Sequence, residues 1–193
     1  MNELIKDFFD RIAPNYTHDD SKLIDDLLDS LKIGKCERIL DLGCGKGIIS
    51  EKLASLNQGE VVALDISSKM IELAKENVKD KHVTFVNADF YEYHSDKKFD
   101  AIVCFDAYPH FLNVKGFILK SVELLNEDGL LAIIHDIGRP TLNKHHQSHA
   151  MNVSRLLHKP TTEAEIFRLY FTPLELEESE NHYKMIFVKK RAE

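Results

Sequence analysis

Residues 39 to 47 read Ile-Leu-Asp-Leu-Gly-Cys-Gly-Lys-Gly, an apolar strand running into a glycine turn. No other stretch constrains the chain more, because the glycine spacing separates two large cofactor classes. The dinucleotide fingerprint is G-x-G-x-x-G, whose third glycine lets a helix pack close to the strand. Here Gly43, Gly45 and Gly47 alternate, and Ile48 stands where that third glycine would fall. Asp41 opens the turn with a carboxylate that suits a ligand carrying an ammonium group and would repel a pyrophosphate. The turn therefore favours a cationic, phosphate-free nucleotide over NAD.

Elements alternate on both sides of this turn. Two amphipathic helices come first: Leu4, Ile5, Phe8, Phe9 and Ile12 form one apolar stripe, and Leu23, Ile24, Leu27, Leu28 and Leu31 another. Ser21 is placed to cap the second, and Pro14-Asn15-Tyr16 breaks the pattern between them. Strands are then predicted over 38–42, 61–65, 83–87, 101–105 and 129–135, and helices over 48–56, 68–77 and 114–125. A further helix is expected near 163–170, where Thr162 and Glu165 have the spacing of a capping box. The strands are short, nearly continuous apolar runs, as in sheets covered by helices on both faces. After Pro173, strands over 174–178 and 183–189 are joined only by Ser179-Glu180-Asn181. That loop is too short for a helical crossover, so the two pair as an antiparallel hairpin. The expectation is a doubly wound, Rossmann-like α/β sheet of seven strands, mostly parallel, with a reversed C-terminal strand hairpin.

With 193 residues and 44% hydrophobic content the chain fits a single domain over 1–193. A formal charge of −7 argues against a nucleic-acid partner, whose phosphates need clustered Lys and Arg. No apolar run approaches the roughly 18 residues of a membrane span. Glu3, Asp7 and Asp10 interrupt the N-terminus where a signal peptide would be uncharged. Cys36, Cys44 and Cys104 are odd in number and scattered, which points to a reducing compartment. The chain reads as cytoplasmic.

In open α/β sheets ligands bind beyond the carboxyl ends of the strands, where strand order reverses. Asp65 ends the second strand, 24 residues after Asp41, and can accept hydrogen bonds from two ribose hydroxyls. Asp89 and Phe90 follow the third strand, where a carboxylate could accept from an adenine amino group beside the ring. Plainer roles stay open: Asp65 as a helix cap, Met70 as a core residue, Tyr16 as an anchor of the N-terminal segment.

These residues carry a resemblance. The chain resembles the class I S-adenosylmethionine-dependent methyltransferases, in particular the small-molecule type that includes the ubiquinone and menaquinone enzymes. Residues 39–47 look like the family's first motif and Val-Val-Ala-Leu-Asp-Ile-Ser at 61–67 its second. Asn87-Ala88-Asp89-Phe90 is similar to the third, and Phe99-Asp100-Ala101-Ile102-Val103 to the fourth. The resemblance implies that Asp41, Gly43 and Gly45 face the methionine half of S-adenosylmethionine, Asp65 the ribose, and Ile66, Met70, Asp89 and Phe90 the adenine. Tyr16 matches the N-terminal segment (1–33) that folds over the cofactor. The implied activity is methyl transfer to a small-molecule acceptor. A sensor or partner protein that binds the cofactor without turnover is the alternative, and an NAD-dependent oxidoreductase is disfavoured by the glycine spacing.

Base candidates follow the fourth strand in Asp106-Ala107-Tyr108-Pro109-His110. Asp106, Tyr108 and His110 are expected to line the methyl-transfer pocket, although a helix-packed His110 satisfied by backbone is also compatible with the sequence. Residues 137–161 lack clear periodicity and are expected to form a substrate lid. Five of the ten histidines fall within 135–158. His135, Arg139, Asn143 and His146 are candidates for gripping an acceptor. His145 and His149 share one face if the segment is helical, a spacing that can chelate a metal; a plain lid and a coincidence of surface residues remain the other readings.

Overall fold

The computed structural model describes residues 2–17, 22–57 and 59–191. Ser21, the expected helix cap, lies outside them. Seven strands form one sheet: β1 (Arg38–Leu42), β2 (Glu60–Asp65), β3 (Val83–Asn87), β4 (Phe99–Phe105), β5 (Leu125–His135), β6 (Phe171–Glu178) and β7 (Tyr183–Lys189). Their order is β3-β2-β1-β4-β5-β7-β6. The first five run parallel, and β7 lies antiparallel between β5 and β6. Strand order reverses between β1 and β4, so a crevice opens at their carboxyl ends, beside the glycine turn.

The period of two along each strand divides the core into two layers. Leu40, Val62, Ile102 and Leu131 face Phe117 of α5 (Val114–Leu124) and Phe167. Ile39, Val61, Ala101 and Ala132 face Ile24 and Leu28 of α2 (Lys22–Asp29) and Leu53 of α3 (Ile48–Leu56). Each of the larger buried side chains contributes on the order of 1.5–3 kcal/mol of transfer free energy. Helix α1 (Asn2–Ile12) packs on α4 (Ser68–Asn77). Of its expected stripe, Leu4 points outward and is 62% exposed.

Several boundaries differ from the sequence expectation, among them the starts of β4 at Phe99 and of β6 at Phe171. β5 starts at Leu125 and runs through polar Asn126-Glu127-Asp128, with a register shift against β4 that an apolar-run criterion misses. The helix expected near 163–170 is the short α7 (Pro160–Ala164), and Thr162 and Glu165 form no capping box. Pro160 in its first turn starts the helix early, since proline there gives up only an N–H that would be unpaired anyway. The aperiodic 137–161 segment contains α6 (Arg139–His149), whose polar composition hid it. Among the described residues no helix is long and apolar enough to cross a membrane.

Candidate active site

The glycine turn is lashed to the neighbouring strand. Gly43 N and Cys44 N donate to the Leu64 carbonyl at 2.8 and 3.1 Å. Gly43 and Gly45 have φ of 78° and 52°, a left-handed backbone that glycine adopts without strain. A Cβ on Gly43 would sit 2.5 Å from Ala107 Cβ, whereas one on Gly45 would meet nothing within 4 Å. The first glycine is thus required by packing against the chain after β4, and the second leaves open space in the cleft wall.

Asp65 joins this turn to α4. Its Oδ2 accepts from Gly45 N at 2.9 Å and its Oδ1 from Ser67 N at 2.8 Å. Burial pushes its pKa up to about 6 even though those backbone bonds favour the ionised form. Asp41 does not form part of the cleft wall. It shares the strand face of Ile39, under α3, where it is 1% exposed and its Oδ2 accepts from Ser50 Oγ at 2.6 Å. Burial raises its pKa to about 7, with the charge of Asp65 adding to the rise and Ser50 opposing it. The expectation that Asp41 touches the ligand is corrected to a charge one layer below the turn.

The cleft encloses about 1010 Å³, open mouth included. Ile66, Met70, Asp89 and Phe90 line it along with Asp65, Gly43 and Gly45. Met70 and Phe90 are 1% and 2% exposed, so they serve as core as well as wall. Helix α1 closes the other side with Ile5 and Phe9, followed by Tyr16. Asn2 donates its amide to the Asp89 carboxylate, which also accepts from Tyr91 N at 3.0 Å. Asp10 holds α1 in place by accepting from Ser67 Oγ (2.6 Å), Lys69 N (3.0 Å) and Lys6 Nζ (2.7 Å).

A second cavity adjoins the first, and Phe9, Tyr16, Asp106 and His110 line both. Asp106, at the tip of β4, has a left-handed φ of 51°. Its Oδ1 lies 3.1 Å from Nδ1 of the fully buried His135 and accepts from Asp136 N at 3.3 Å. His110 Nδ1 lies 2.9 Å from the Val153 carbonyl oxygen, and the ring meets Phe9 edge-on at 4.8 Å and His146 at 5.2 Å. Burial lowers the pKa of His110 and of His146 to about 4, with neighbouring imidazoles adding to the effect. Both rings are therefore neutral at pH 7.

α6 brings His145, His146 and His149 to the second cavity, and the His145 and His149 rings stack at 4.9 Å on one helix face. Among the described residues, no group of three or more His, Cys, Asp or Glu side chains could hold a metal ion.

Other expected site residues sit away from both cavities. Tyr108 is fully buried in the short 3₁₀ turn Tyr108–His110, which sends 108 inward and 110 toward the cleft. Its hydroxyl donates to Glu163 Oε1 at 3.0 Å, and the Arg155 guanidinium lies over its ring and pairs with the same carboxylate. Arg139 is spent on Glu178 at 2.7 Å. The Asn143 amide bonds both N and O of Leu157 at 2.9 Å, fixing the segment after α6. His135 lies beneath the junction and lines neither cavity. Conversely, sequence reasoning passed over Asn2, Asp10, Ser50 and the Arg155–Glu163 pair. None has a periodic or motif signal, since each acts by meeting a partner distant in sequence.

Comparison with known proteins bears on this arrangement. Residues 39–129 match the family described as methyltransferase domain. The malonyl-[acyl-carrier protein] O-methyltransferase of Acetivibrio thermocellus is 29% identical over 153 residues, covering 76% of this chain and 54% of that protein. A ubiquinone biosynthesis O-methyltransferase of Rickettsia akari is 38% identical over 104 residues, covering 52% of this chain and 40% of that one. Residues 39–129, just under half of the chain, are thus similar to the methyltransferase domain of the class I S-adenosylmethionine-dependent methyltransferases. The chain spans about half the length of these two relatives.

The fold of the chain matches that of the N-methyltransferase NodS from Bradyrhizobium japonicum in complex with S-adenosylhomocysteine. The TM-score is 0.71 at 19% identity, covering 97% of this chain and 99% of that one. At that identity the likeness is one of fold. The cleft itself suits the family's cofactor: open space over Gly45, three carboxylates on the wall (Asp65, Asp89 and Asp106), and an apolar floor of Met70 and Phe90.

Proposed function

We propose that this protein moves the methyl group of S-adenosylmethionine to a small-molecule acceptor held in the second cavity. The observation that carries the reading is the meeting of the two cavities at Phe9, Tyr16, Asp106 and His110. On this reading Asp65 accepts from the ribose hydroxyls, Asp89 from the adenine amino group, and Ile66, Met70 and Phe90 pack on the base, while Gly43 and Gly45 let the backbone approach the methionine half. When bound, the cofactor supplies a methyl group on a sulfonium, whose leaving group is neutral and needs no protonation.

The protein's own task is to align the acceptor, exclude water and, for an O–H or N–H nucleophile, receive a proton. A carbonyl can only accept, so His110 Nδ1 carries a proton donated toward Val153, and in the neutral ring Nε2 is the acceptor. His110 is thereby held as a neutral base at the junction, with Asp106 beside it. Phe9 and Tyr16, on the segment around α1, cover the reacting centre. The name of the ubiquinone relative supports a small acceptor, and the second cavity, open to solvent beside the first, gives one a place.

Two measurements test the reading. Calorimetry should give S-adenosylhomocysteine binding that Asp65→Ala weakens by tenfold or more, since a hydrogen bond to a charged group contributes about 1.5–3 kcal/mol. A panel of phenols, amines and thiols should then give cofactor-dependent release of S-adenosylhomocysteine that His110→Ala reduces. Folded protein with no measurable S-adenosylhomocysteine binding ends the proposal.

A further inference from the structure

The second cavity has a composition that selects among acceptors. Phe8, Phe9 and Tyr16 come to it from the N-terminal segment, His145, His146 and His149 from α6, and His110 from the turn after β4. Half of the remaining lining is aliphatic (Ile12, Ile137, Leu142 and Ala150), and Asn15 and Thr17 add neutral polar groups. Among the described lining residues the only carboxylate is Asp106, the only guanidinium is Arg11, and no lysine is present. A polycation would find one carboxylate to pair with, and an extended flexible chain would lose its rotamer freedom against walls made of flat rings. Planar faces stack best on planar faces, at about 4.5–7 Å between centroids.

A second observation concerns His146. It is 6% exposed, it lines this cavity, and its Nδ1 is buried without a hydrogen-bond partner. A buried polar atom left unpaired costs about 1–3 kcal/mol, and such atoms are rare in native proteins. The ring is edge-on to His110, so its polar atoms and those of His110 belong to one end of the cavity. With a shift of the side chains that cover this nitrogen, a ligand hydroxyl or ring N–H would satisfy it and lie next to the neutral base.

We infer that the second cavity takes a planar aromatic acceptor bearing an ionisable hydroxyl or ring N–H, stacked between the N-terminal rings and the histidines of α6 and anchored by His146. The inference rests on the proposed function, because the cavity is an acceptor site only if the first cleft holds the cofactor. Phe8 supplies the outer wall and carries the Arg11 guanidinium at 5.6 Å from its ring. His149, whose Nδ1 is 3.3 Å from the His145 carbonyl oxygen, keeps the stacked pair of imidazoles presented as one surface.

The test uses the full chain saturated with S-adenosylhomocysteine and a matched pair of probes. 2-Naphthol has a planar ring system with an ionisable hydroxyl; decahydro-2-naphthol has the same connectivity without planarity or acidity. Titration calorimetry should show 2-naphthol binding at least tenfold tighter than its saturated counterpart, with spermidine and decanoate weaker still. His146→Ala and Phe8→Ala should each reduce 2-naphthol affinity fivefold or more while leaving S-adenosylhomocysteine affinity within twofold. The unchanged cofactor-product affinity also shows that the variants are folded.

Equal binding of the two probes, tighter binding of the saturated or aliphatic compounds, or no binding of any probe to the loaded protein overturns the inference and leaves the proposed function standing. Absence of S-adenosylhomocysteine binding at the first step removes both.

Discussion

His110 is tied to Val153: its Nδ1 lies 2.9 Å from that carbonyl oxygen, joining the turn after β4 to the segment after α6. One bond thus sets both the tautomer of the ring and the position of the chain that covers it. His110 should therefore remain an Nδ1–H tautomer and show no titration between pH 5.5 and 8, its pKa having been lowered by burial to about 4. Nitrogen-15 NMR of labelled histidine checks this directly, and a ring that titrates near 6.5 contradicts the assignment.

The same depressed values bear on stability. His146 and His110 bind protons less readily folded than unfolded, so between their ordinary 6.5 and about 4 the unfolded chain holds more protons. Stability is complete above 6.5 and is lost as pH falls toward 4. Urea denaturation at pH 7 and pH 5 should show that loss, and His146→Gln should make it smaller.

Asp41 and Asp65 work in the opposite sense. Their pKa values are raised to about 7 and 6, so the folded state holds the extra protons and stability declines as pH rises from about 4 through 7. Asp41→Asn, which keeps a partner for Ser50, should raise the unfolding free energy measured in urea at pH 8 more than at pH 5, by an amount on the order of a few kcal/mol. A cation in the cleft favours the ionised pair. The affinity for S-adenosylmethionine relative to the uncharged-sulfur product should then rise by about tenfold from pH 5.5 to 8. A ratio that is flat with pH contradicts the coupling.

The two glycines at the turn should fail differently. Gly43→Ala adds a methyl 2.5 Å from Ala107 at a left-handed φ, and should cost about 1–2 kcal/mol in backbone strain and a further ~1–3 in overpacking. Gly45→Ala meets open space, so only the strain remains and the methyl projects where the ligand would lie. Denaturation should separate them by stability, with Gly45→Ala the milder, while calorimetry should find Gly45→Ala deficient in S-adenosylhomocysteine binding despite a folded protein.

Arg155 should be more damaging to lose alone than together with its partner. Glu163 is 2% exposed and accepts from both Arg155 and Tyr108. Removing the guanidinium in Arg155→Met leaves a buried charge at a cost of about 3–5 kcal/mol, part of which the double variant with Glu163→Gln should recover. A double-mutant cycle in urea measures the difference.

The centre of the sheet was legible because β1, β2 and β4 are buried on both faces and announce themselves as apolar runs, such as Ile102 to Phe105. The glycine turn was legible because Gly43 and Gly45 answer to backbone geometry. What stayed hidden depends on distant partners. Asp41 reads as a ligand contact in one dimension, yet the two-residue period of β1 carries it under α3 to Ser50. Tyr108 and His110 lie two residues apart in a single 3₁₀ turn, and nothing in their spacing reveals which faces the cleft. Arg139 and Asn143 have the chemistry to grip a ligand, but Glu178 and Leu157 already engage them. α6, in which Leu142 is the one aliphatic side chain besides Pro140, has no apolar stripe strong enough to be read as a helix.

The left-handed backbone of Asp106 limits how this junction can change. At φ of 51° only glycine, asparagine and aspartate are at ease, so replacing the carboxylate with alanine would alter shape as well as charge. Neutralisation without distortion is open through the isosteric amide. Natural drift at this position, and any redesign of the junction, is thus channelled into a three-letter alphabet by torsion angle before chemistry has a say.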